Sequence, residues 1–482
     1  MVFASIEFLT LFLPLFLLCY AGTPAKWRNV TLMVGSALFY AWWTPKFLVL
    51  IVALTLWTWY AALSIERSTS EVTKTRWMIA TIMINLGSLI WYKYTNIVVK
   101  TVLASSESSS VASQFLSDWQ PILLPIGLSF TVLHAISYIV DVRRAEIQAQ
   151  PSMVAFSAYM LMFPHLIAGP IVRFKVIAQE INQRVLSWNN VSTGVRYFMI
   201  GFSMKVLLAD ALAPLVQIVF HQLHELNVSP SLTDAWIGCS AYTLQLYFDF
   251  AGYSAMAIGL GRILGFHFEP NFNHPYLAGS IQDFWRRWHM TLSSWLRDYL
   301  YISLGGNRHG ALRKYMALML TMAIGGLWHG GDSWNFLLWG IVHGSALCIH
   351  AAYRHYVQQG GWQMPRVLAH TLTLLVVMLA WTLFRAENFA VATQVLAGQF
   401  GFNGVALHPN VALAIHPMVI ATALMGIVCV MYPAWVKTAL GQQISQSALW
   451  QTVGFYAPII TFVYAVMVLV NQTATPFLYF QF

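Results

Sequence analysis

The sequence predicts an all-α fold: a polytopic integral membrane protein with about 11–12 transmembrane helices plus re-entrant and interfacial helices. Three observations carry this. Of the 482 residues, 58% are hydrophobic and only 9% are charged, against about 25% charged in soluble globular chains. Mean hydropathy is +0.62. Apolar runs of membrane-spanning length recur from end to end and do not alternate as barrel strands do. In hydrocarbon a helix satisfies its backbone polar groups alone.

The predicted spans lie near 3–20, 28–43, 46–63, 77–99, 121–140, 195–219, 235–260, 315–331, 334–352, 367–385, 411–431 and 452–470. The first run starts Met-Val-Phe, lacks a basic n-region and contains Glu7, which reads as a retained helix and not a cleaved signal peptide. Orientation follows the basic loops. Lys26 and Arg28, then Arg67, Lys74 and Arg76, then Arg143, Arg144, Arg173, Lys175 and Arg184 fall on one face. Segment 261–314 follows, with Arg262, Arg286, Arg287, Arg297, Arg308, Arg313 and Lys314, and then Arg354, Arg366 and Lys437. Loops 101–120 and 220–234 are poor in basic residues. This expectation puts both termini outside.

Two stretches break the pattern. Residues 153–172 are apolar yet flanked by basic loops, and contain Pro164, His165, Gly169 and Pro170; a re-entrant segment fits better than a crossing. Residues 281–304 mix Trp285, Trp288, Trp295, Leu292 and Leu296 with Arg286, Arg287, Arg297 and Asp298, as expected of an interfacial segment. Non-helical backbone at depth requires protein or a water-filled cavity around it, so both point to a cavity open to the cytoplasm. No repeat and no long polar linker appears, so the chain reads as one domain, 1–482, with its unusual residues concentrated at about 245–345.

The net charge of +9 is explained by basic cytoplasmic loops beside membrane lipids and requires no nucleic-acid partner. Cys19, Cys239, Cys348 and Cys429 lie in or beside apolar runs without metal-type spacing and read as buried packing residues. His221 and His224 lie at i, i+3 in an outer loop with no third ligand in view, and read as solvated; no metal set is expected.

Three constellations could carry chemistry. Gly325-Gly326-Leu327-Trp328-His329-Gly330-Gly331 ends an apolar run. An ionisable side chain at membrane depth is a functional candidate, and a neutral imidazole can take a proton from an alcohol attacking an acyl carbonyl. Alternatively Gly326 and Gly330 form a GxxxG helix contact. The second is Asp283-Phe284-Trp285-Arg286-Arg287-Trp288-His289, continuing to Arg297-Asp298. Its arginines suit the phosphates of a nucleotide-like thioester donor, or anchor an interfacial helix. The third is Asp249, a carboxylate within a span. It has a role in chemistry or is paired structurally, as Lys205 and Asp210 can be. His343 would lie roughly 21 Å from His329 on one unbroken helix. It approaches His329 only if the chain bends at Gly330, Gly331 and Asp332, with Asp332 or Ser333 as N-cap. Helix packing is the plainer role for His343.

At these residues the chain resembles the membrane-bound O-acyltransferases, within them the alginate O-acetyltransferase-like subgroup. The likeness runs from Phe8-Leu9 and Trp27-Arg28-Asn29 through Leu124-Pro125-Ile126-Gly127-Leu128-Ser129-Phe130, Phe163-Pro164-His165-Leu166-Ile167-Ala168-Gly169-Pro170 and the Asp249 segment. It continues through Trp285-Arg286-Arg287-Trp288-His289, Tyr299-Leu300-Tyr301-Ile302-Ser303-Leu304-Gly305-Gly306-Asn307-Arg308 and Gly326-Leu327-Trp328-His329-Gly330 to Tyr479-Phe480-Gln481-Phe482. The resemblance implies a catalytic His329, a second site residue at His289, and a central tunnel. The expected donor-binding or tunnel residues are Trp285, Arg286, Arg287, Trp288, Arg297, Asp249, Trp328 and His343. It further implies acetyl-coenzyme A as donor substrate with no bound cofactor, and a polysaccharide acceptor, alginate first. Peptidoglycan, cellulose or another exopolysaccharide are the other acceptors, reached directly or through a periplasmic acetyltransferase or assembly partner. His165 stands where the subgroup often has Gln, and Thr131-Val132-Leu133-His134 replaces a more aromatic stretch.

A lipid-linked saccharide transporter or flippase is the rival from another class, and predicts repeat symmetry and paired interrupted helices. A scaffold that only recruits a periplasmic transferase is a further alternative, against which an intact His329 argues.

Overall fold

The structure is a computed structural model describing residues 2–104, 119–308, 310–471 and 478. The Ser-rich stretch with Glu107 and Asp118, and the terminal Tyr479-Phe480-Gln481-Phe482, lie outside the described residues. Among the described residues every regular element is helical. Each predicted span coincides with a helix, and six of these are long and apolar enough to cross a bilayer: Pro45–Arg67, Trp188–Glu225, Asn335–Tyr356, Arg366–Arg385, Pro417–Trp435 and Ala448–Val470. The others fall short in length or hydropathy. The fifth span starts later than its apolar run. Residues 119–125 there are non-helical, and the helix Leu128–Arg143 starts only after Gly127, at φ +78. Leu124-Pro125 and the left-handed glycine keep the preceding chain from helical geometry.

The chain forms two compact units, Met1–Val195 with Ala257–Glu269, and Arg196–Met256 with Pro270–Gln481. In the first, the 153–172 stretch is two short helices, Met153–Leu161 and Phe163–Leu166, followed by non-helical chain. Neither is long enough to span. Side chains satisfy the broken backbone: Ser36 Oγ, from the helix Arg28–Ala41, accepts from Phe163 N–H at 3.1 Å, and Tyr159 O–H, within the stretch, donates to the Val172 carbonyl at 2.9 Å. Asn96 does the same for the 119–127 stretch, donating to the Ile122 carbonyl and accepting its N–H at 2.8 and 2.9 Å. Phe163 itself packs within 5.1–5.4 Å of the Phe12, Phe16 and Phe39 rings. The two departures from the subgroup pattern meet: His134 and His165 are fully buried, with ring centroids 4.7 Å apart and edge to face.

In the second unit, close helix crossings occur at glycines. Gly201 and Gly252 face each other so that a Cβ on Gly252 would lie 2.6 Å from the Gly201 carbonyl oxygen. Gly326 and Gly340 bring Gly310–His329 against Asn335–Tyr356, and a Cβ on Gly340 would overlap the Met322 carbonyl. The GxxxG contact is therefore present: Gly330 also abuts the Phe336 ring. Lys205 is buried between two carboxylates, with Nζ 2.6 Å from Asp210 Oδ1 and 2.7 Å from Asp249 Oδ1. The Asp249 contact lacks hydrogen-bond alignment at that oxygen, so it is a charge contact first. Asp249 Oδ2 accepts from Leu478 N–H at 3.0 Å.

Two expectations need correction. His221 and His224 belong to the end of the helix Trp188–Glu225 and are not merely solvated: His221 lies 3.2 Å from Glu225 and 3.1 Å from Glu387, and His224 meets Gln394 at 3.0 Å. Helical periodicity continues past the apolar run, and partners distant in sequence come from the Phe389–Gln399 region. Of the four cysteines only Cys239 is buried; Cys19 and Cys429 are exposed, because an apolar run in a membrane helix has an outward face that lipid covers.

Lys205→Met strands the buried carboxylates and should lower stability by about 3–5 kcal/mol, read as a lower melting temperature in detergent, with partial recovery in Lys205→Met/Asp249→Asn. Gly340→Ala should lower the melting temperature by overpacking, about 1–3 kcal/mol. Gly454→Ala, with no neighbour within 4 Å of its added methyl, should leave it unchanged or raise it.

Candidate active site

The site is built where two chain breaks meet. The helix Gly310–His329 stops at Gly330-Gly331, so His329 is its last residue. The return helix starts at Asn335, with Ser333 Oγ accepting from Asn335 N–H at 3.2 Å. Asn335 Nδ2 in turn donates to the Ala386 carbonyl at 3.0 Å, tying this turn to the end of Arg366–Arg385. His329 is 5% exposed. Trp328, Trp339 and Phe384 pack edge-on around its ring at 5.0, 5.2 and 5.3 Å between centroids.

The 281–304 stretch is not one amphipathic helix. It is Ile281–Trp285, Met290–Trp295 and a wider turn Leu296–Tyr301, interrupted at His289, whose φ is +41. A left-handed conformation is uncommon for a residue with a Cβ and persists only where the surroundings hold it. Here the loop 271–273 holds it. Asn273 N–H donates to the Arg287 carbonyl and Met290 N–H to the Asn271 carbonyl, each at 2.9 Å. His289 Nδ1 lies 3.0 Å from Asn271 Oδ1. The His289 ring is fully buried, edge-on to Phe250 at 4.7 Å and 6.5 Å from the His329 ring. Among the described residues its Nε2 has no hydrogen-bond partner. The fold thus brings His289 and His329 together from positions 40 residues apart in the sequence.

The other expected residues divide. Trp328 belongs to the His329 wall. Trp285 packs 5.7 Å from Trp339 and donates from Nε1 to His343 Nδ1 at 3.3 Å. His343 packs 4.8 Å from Trp339, which itself contacts His329, so His343 stands behind that wall. Trp288 is a packing residue, 4.9 Å from Trp381 and 5.1 Å from Phe272. Arg287 pairs with Asp283 at 2.9 Å and donates to the Asn273 carbonyl at 3.4 Å, bracing the same loop. Asp249 sits with Lys205, while its neighbour Phe250 is what touches His289.

Arg286 and Arg297 line a cavity of about 960 Å³ together with Lys314, Arg354, His350 and His355. Trp285, Met290, Leu296 and Met322 line it as well. Met290 follows His289 directly, Trp285 contacts Trp339 beside His329, and Met322 lies two turns before His329 on the same helix face. The basic cavity thus includes the residue after His289 and a tryptophan that packs on the Trp339 in contact with His329. A larger cavity of about 1490 Å³ reaches Lys205 and Asp210 instead.

Three residues here escape sequence reasoning. Asn271 had a signal, a polar cluster Asn271-Phe272-Asn273-His274 next to the arginine-rich motif. Phe384 had none, being one apolar residue among many in its helix. Arg354 read only as a loop charge.

Such an arrangement, two buried imidazoles close together beside a basic cavity, suits proton transfer during attack on an acyl carbonyl. The family model described as MBOAT, membrane-bound O-acyltransferase family, matches residues 38–393. The chain is 43% identical over 431 residues to the probable alginate O-acetylase AlgI of Azotobacter vinelandii, covering 89% of this chain and 84% of that protein. It is 38% identical to the protein of that name from Pseudomonas putida, covering 100% of both. It is 35% identical to the peptidoglycan O-acetyltransferase of Helicobacter pylori, covering 83% of this chain and 80% of that protein. With six helices among the described residues long and apolar enough to cross a bilayer and a histidine pair inside the matched region, the chain belongs to the membrane-bound O-acyltransferase family and is a multi-pass membrane acyltransferase.

Proposed function

We propose that the chain passes acetyl groups from cytosolic acetyl-coenzyme A to an extracytoplasmic polysaccharide, alginate first, with His329 and His289 as its catalytic residues. The observation that carries this reading is the buried His289–His329 pair, 6.5 Å apart between ring centroids, with a basic cavity lined by Met290, the residue after His289. The polymer is outside and the charged thioester inside, and neither crosses lipid. A site reached from both faces lets only the small acetyl group pass. The basic rim at Arg286, Arg297, Lys314 and Arg354 matches the phosphates of coenzyme A. The relatives named as alginate O-acetylases favour alginate. Peptidoglycan is the second reading, favoured by the Helicobacter pylori relative. The basic loops support an inner-membrane protein with periplasmic termini, and a periplasmic acetyltransferase or assembly partner is proposed to take the acetyl group onward.

His329→Ala, at equal membrane abundance, should lower polymer-bound acetate by about 100-fold or more, measured as base-released acetate from purified polymer. Persistence of acetylation would remove His329 from the chemistry and favour the scaffold reading. Arg286→Glu and Arg354→Glu should each raise KM for acetyl-coenzyme A about tenfold in proteoliposomes, kcat changing little, since a charge-assisted phosphate contact contributes about 1.5–3 kcal/mol. Inhibition by coenzyme A should then weaken towards that by its dephospho form.

A further inference from the structure

We infer that Asn271 is a positioning residue that holds His289 in the tautomer protonated on Nδ1, leaving Nε2 as the lone pair presented to the reaction. The inference rests on the proposed role of His289. The geometry has little freedom. Asn271 is 1% exposed and His289 fully buried. Thr291 N–H, which can only donate, points at Asn271 Oδ1 from 3.3 Å, and the Thr291 hydroxyl donates to the same oxygen at 2.8 Å. On the other side Asn271 Nδ2 donates to Ser254 Oγ at 3.0 Å. A flipped amide would set its NH2 against the Thr291 N–H, donor against donor. The atom 3.0 Å from His289 Nδ1 is therefore the carbonyl oxygen, and Nδ1 must carry the hydrogen. Which ring nitrogen is protonated is set by the bond that the other nitrogen makes. In the neutral ring Nε2 is then a bare lone pair, and among the described residues it is buried without a hydrogen-bond partner.

The same contacts hold the ring through a turnover. As the acceptor hydroxyl attacks the acyl carbon, its O–H bond breaks and the proton goes to Nε2. The new O–C bond forms, the C–S bond breaks, and the thiolate leaves and takes the proton from Nε2. Throughout, Nδ1–H still donates to Asn271. The titratable group facing His289 is His329; Phe250 and Trp328 supply its other ring contacts.

The test compares Asn271→Ala, Asn271→Asp and Ser254→Ala in proteoliposomes, with kcat, KM, a pH–rate profile and the melting temperature for each. Asn271→Ala should lower kcat about tenfold or more through loss of the tautomer, with KM for the donor unchanged. Asn271→Asp still accepts from all three donors, while the Ser254 hydroxyl can rotate to donate. It should keep most of kcat but move the acid limb of the profile to higher pH, because a carboxylate stabilises the imidazolium. Ser254→Ala, which leaves Oδ1 untouched, should stay within about threefold of wild type. If Asn271→Ala fails to fold, the Asn271→Asp profile decides: an unmoved acid limb overturns the proposal. Wild-type kcat in Asn271→Ala also overturns it. His289→Ala in parallel separates the failures: inactive His289→Ala beside active Asn271→Ala sinks only the positioning role, whereas active His289→Ala sinks the assignment of His289 and this inference with it.

Discussion

Hydrocarbon offers no hydrogen-bond partner, so every break in a helix must be satisfied from within the protein. Both non-crossing stretches obey that constraint in the same way. A polar side chain reaches the exposed backbone: Ser36 at Phe163, Tyr159 at Val172, Asn96 at Ile122. At His289 the partner is a whole loop, with backbone bonds on either side and Asn271 between them. These bonds hold an interrupted chain still where lipid would otherwise force a continuous helix. The interruptions are also where an imidazole can project from a backbone that a regular helix would not provide.

The site is dry because aromatic rings close it. Trp328, Trp339 and Phe384 surround His329, and Phe250 covers His289. Rings exclude water with few rotatable bonds, so ordering them costs less entropy than ordering aliphatic chains of equal area. Trp285 and Met290 line the basic cavity; Trp285 packs on Trp339, which closes on His329, and Met290 follows His289 in the chain. Cationic surface that suits phosphates and the apolar surface around the imidazoles are thus separated by a layer of packed side chains. Glycines make that layer possible. At Gly326 and Gly340 the two helices approach backbone to backbone, which sets the height at which His329 and Trp339 meet.

Charge inside the second unit follows the same economy of partners. Lys205 answers Asp210 and Asp249, so Asp249 serves the packing of its long helix while the next residue, Phe250, serves the histidine pair. Adjacent side chains on one helix diverge by about 100°, so Asp249 faces Lys205 while Phe250 faces His289.

The sequence by itself determined the class, the spans and the family. All three depend on composition, on runs longer than a bilayer is thick, and on local motifs, which are properties of contiguous residues. It also marked His329, since an ionisable residue in an apolar stretch stands out without a fold, and the family resemblance added His289. Only the tertiary structure decided their proximity, the break at His289, and the separation of Arg286 and Arg297 at a cavity from Arg287 in a brace. It alone recruited Phe384, Arg354 and Asn271. Those relations depend on which faces of distant helices meet and where a loop crosses a motif. Pairing across 18 to 55 residues, as for Asn271 with His289 and His329 with Phe384, leaves no trace in a periodicity that repeats every turn.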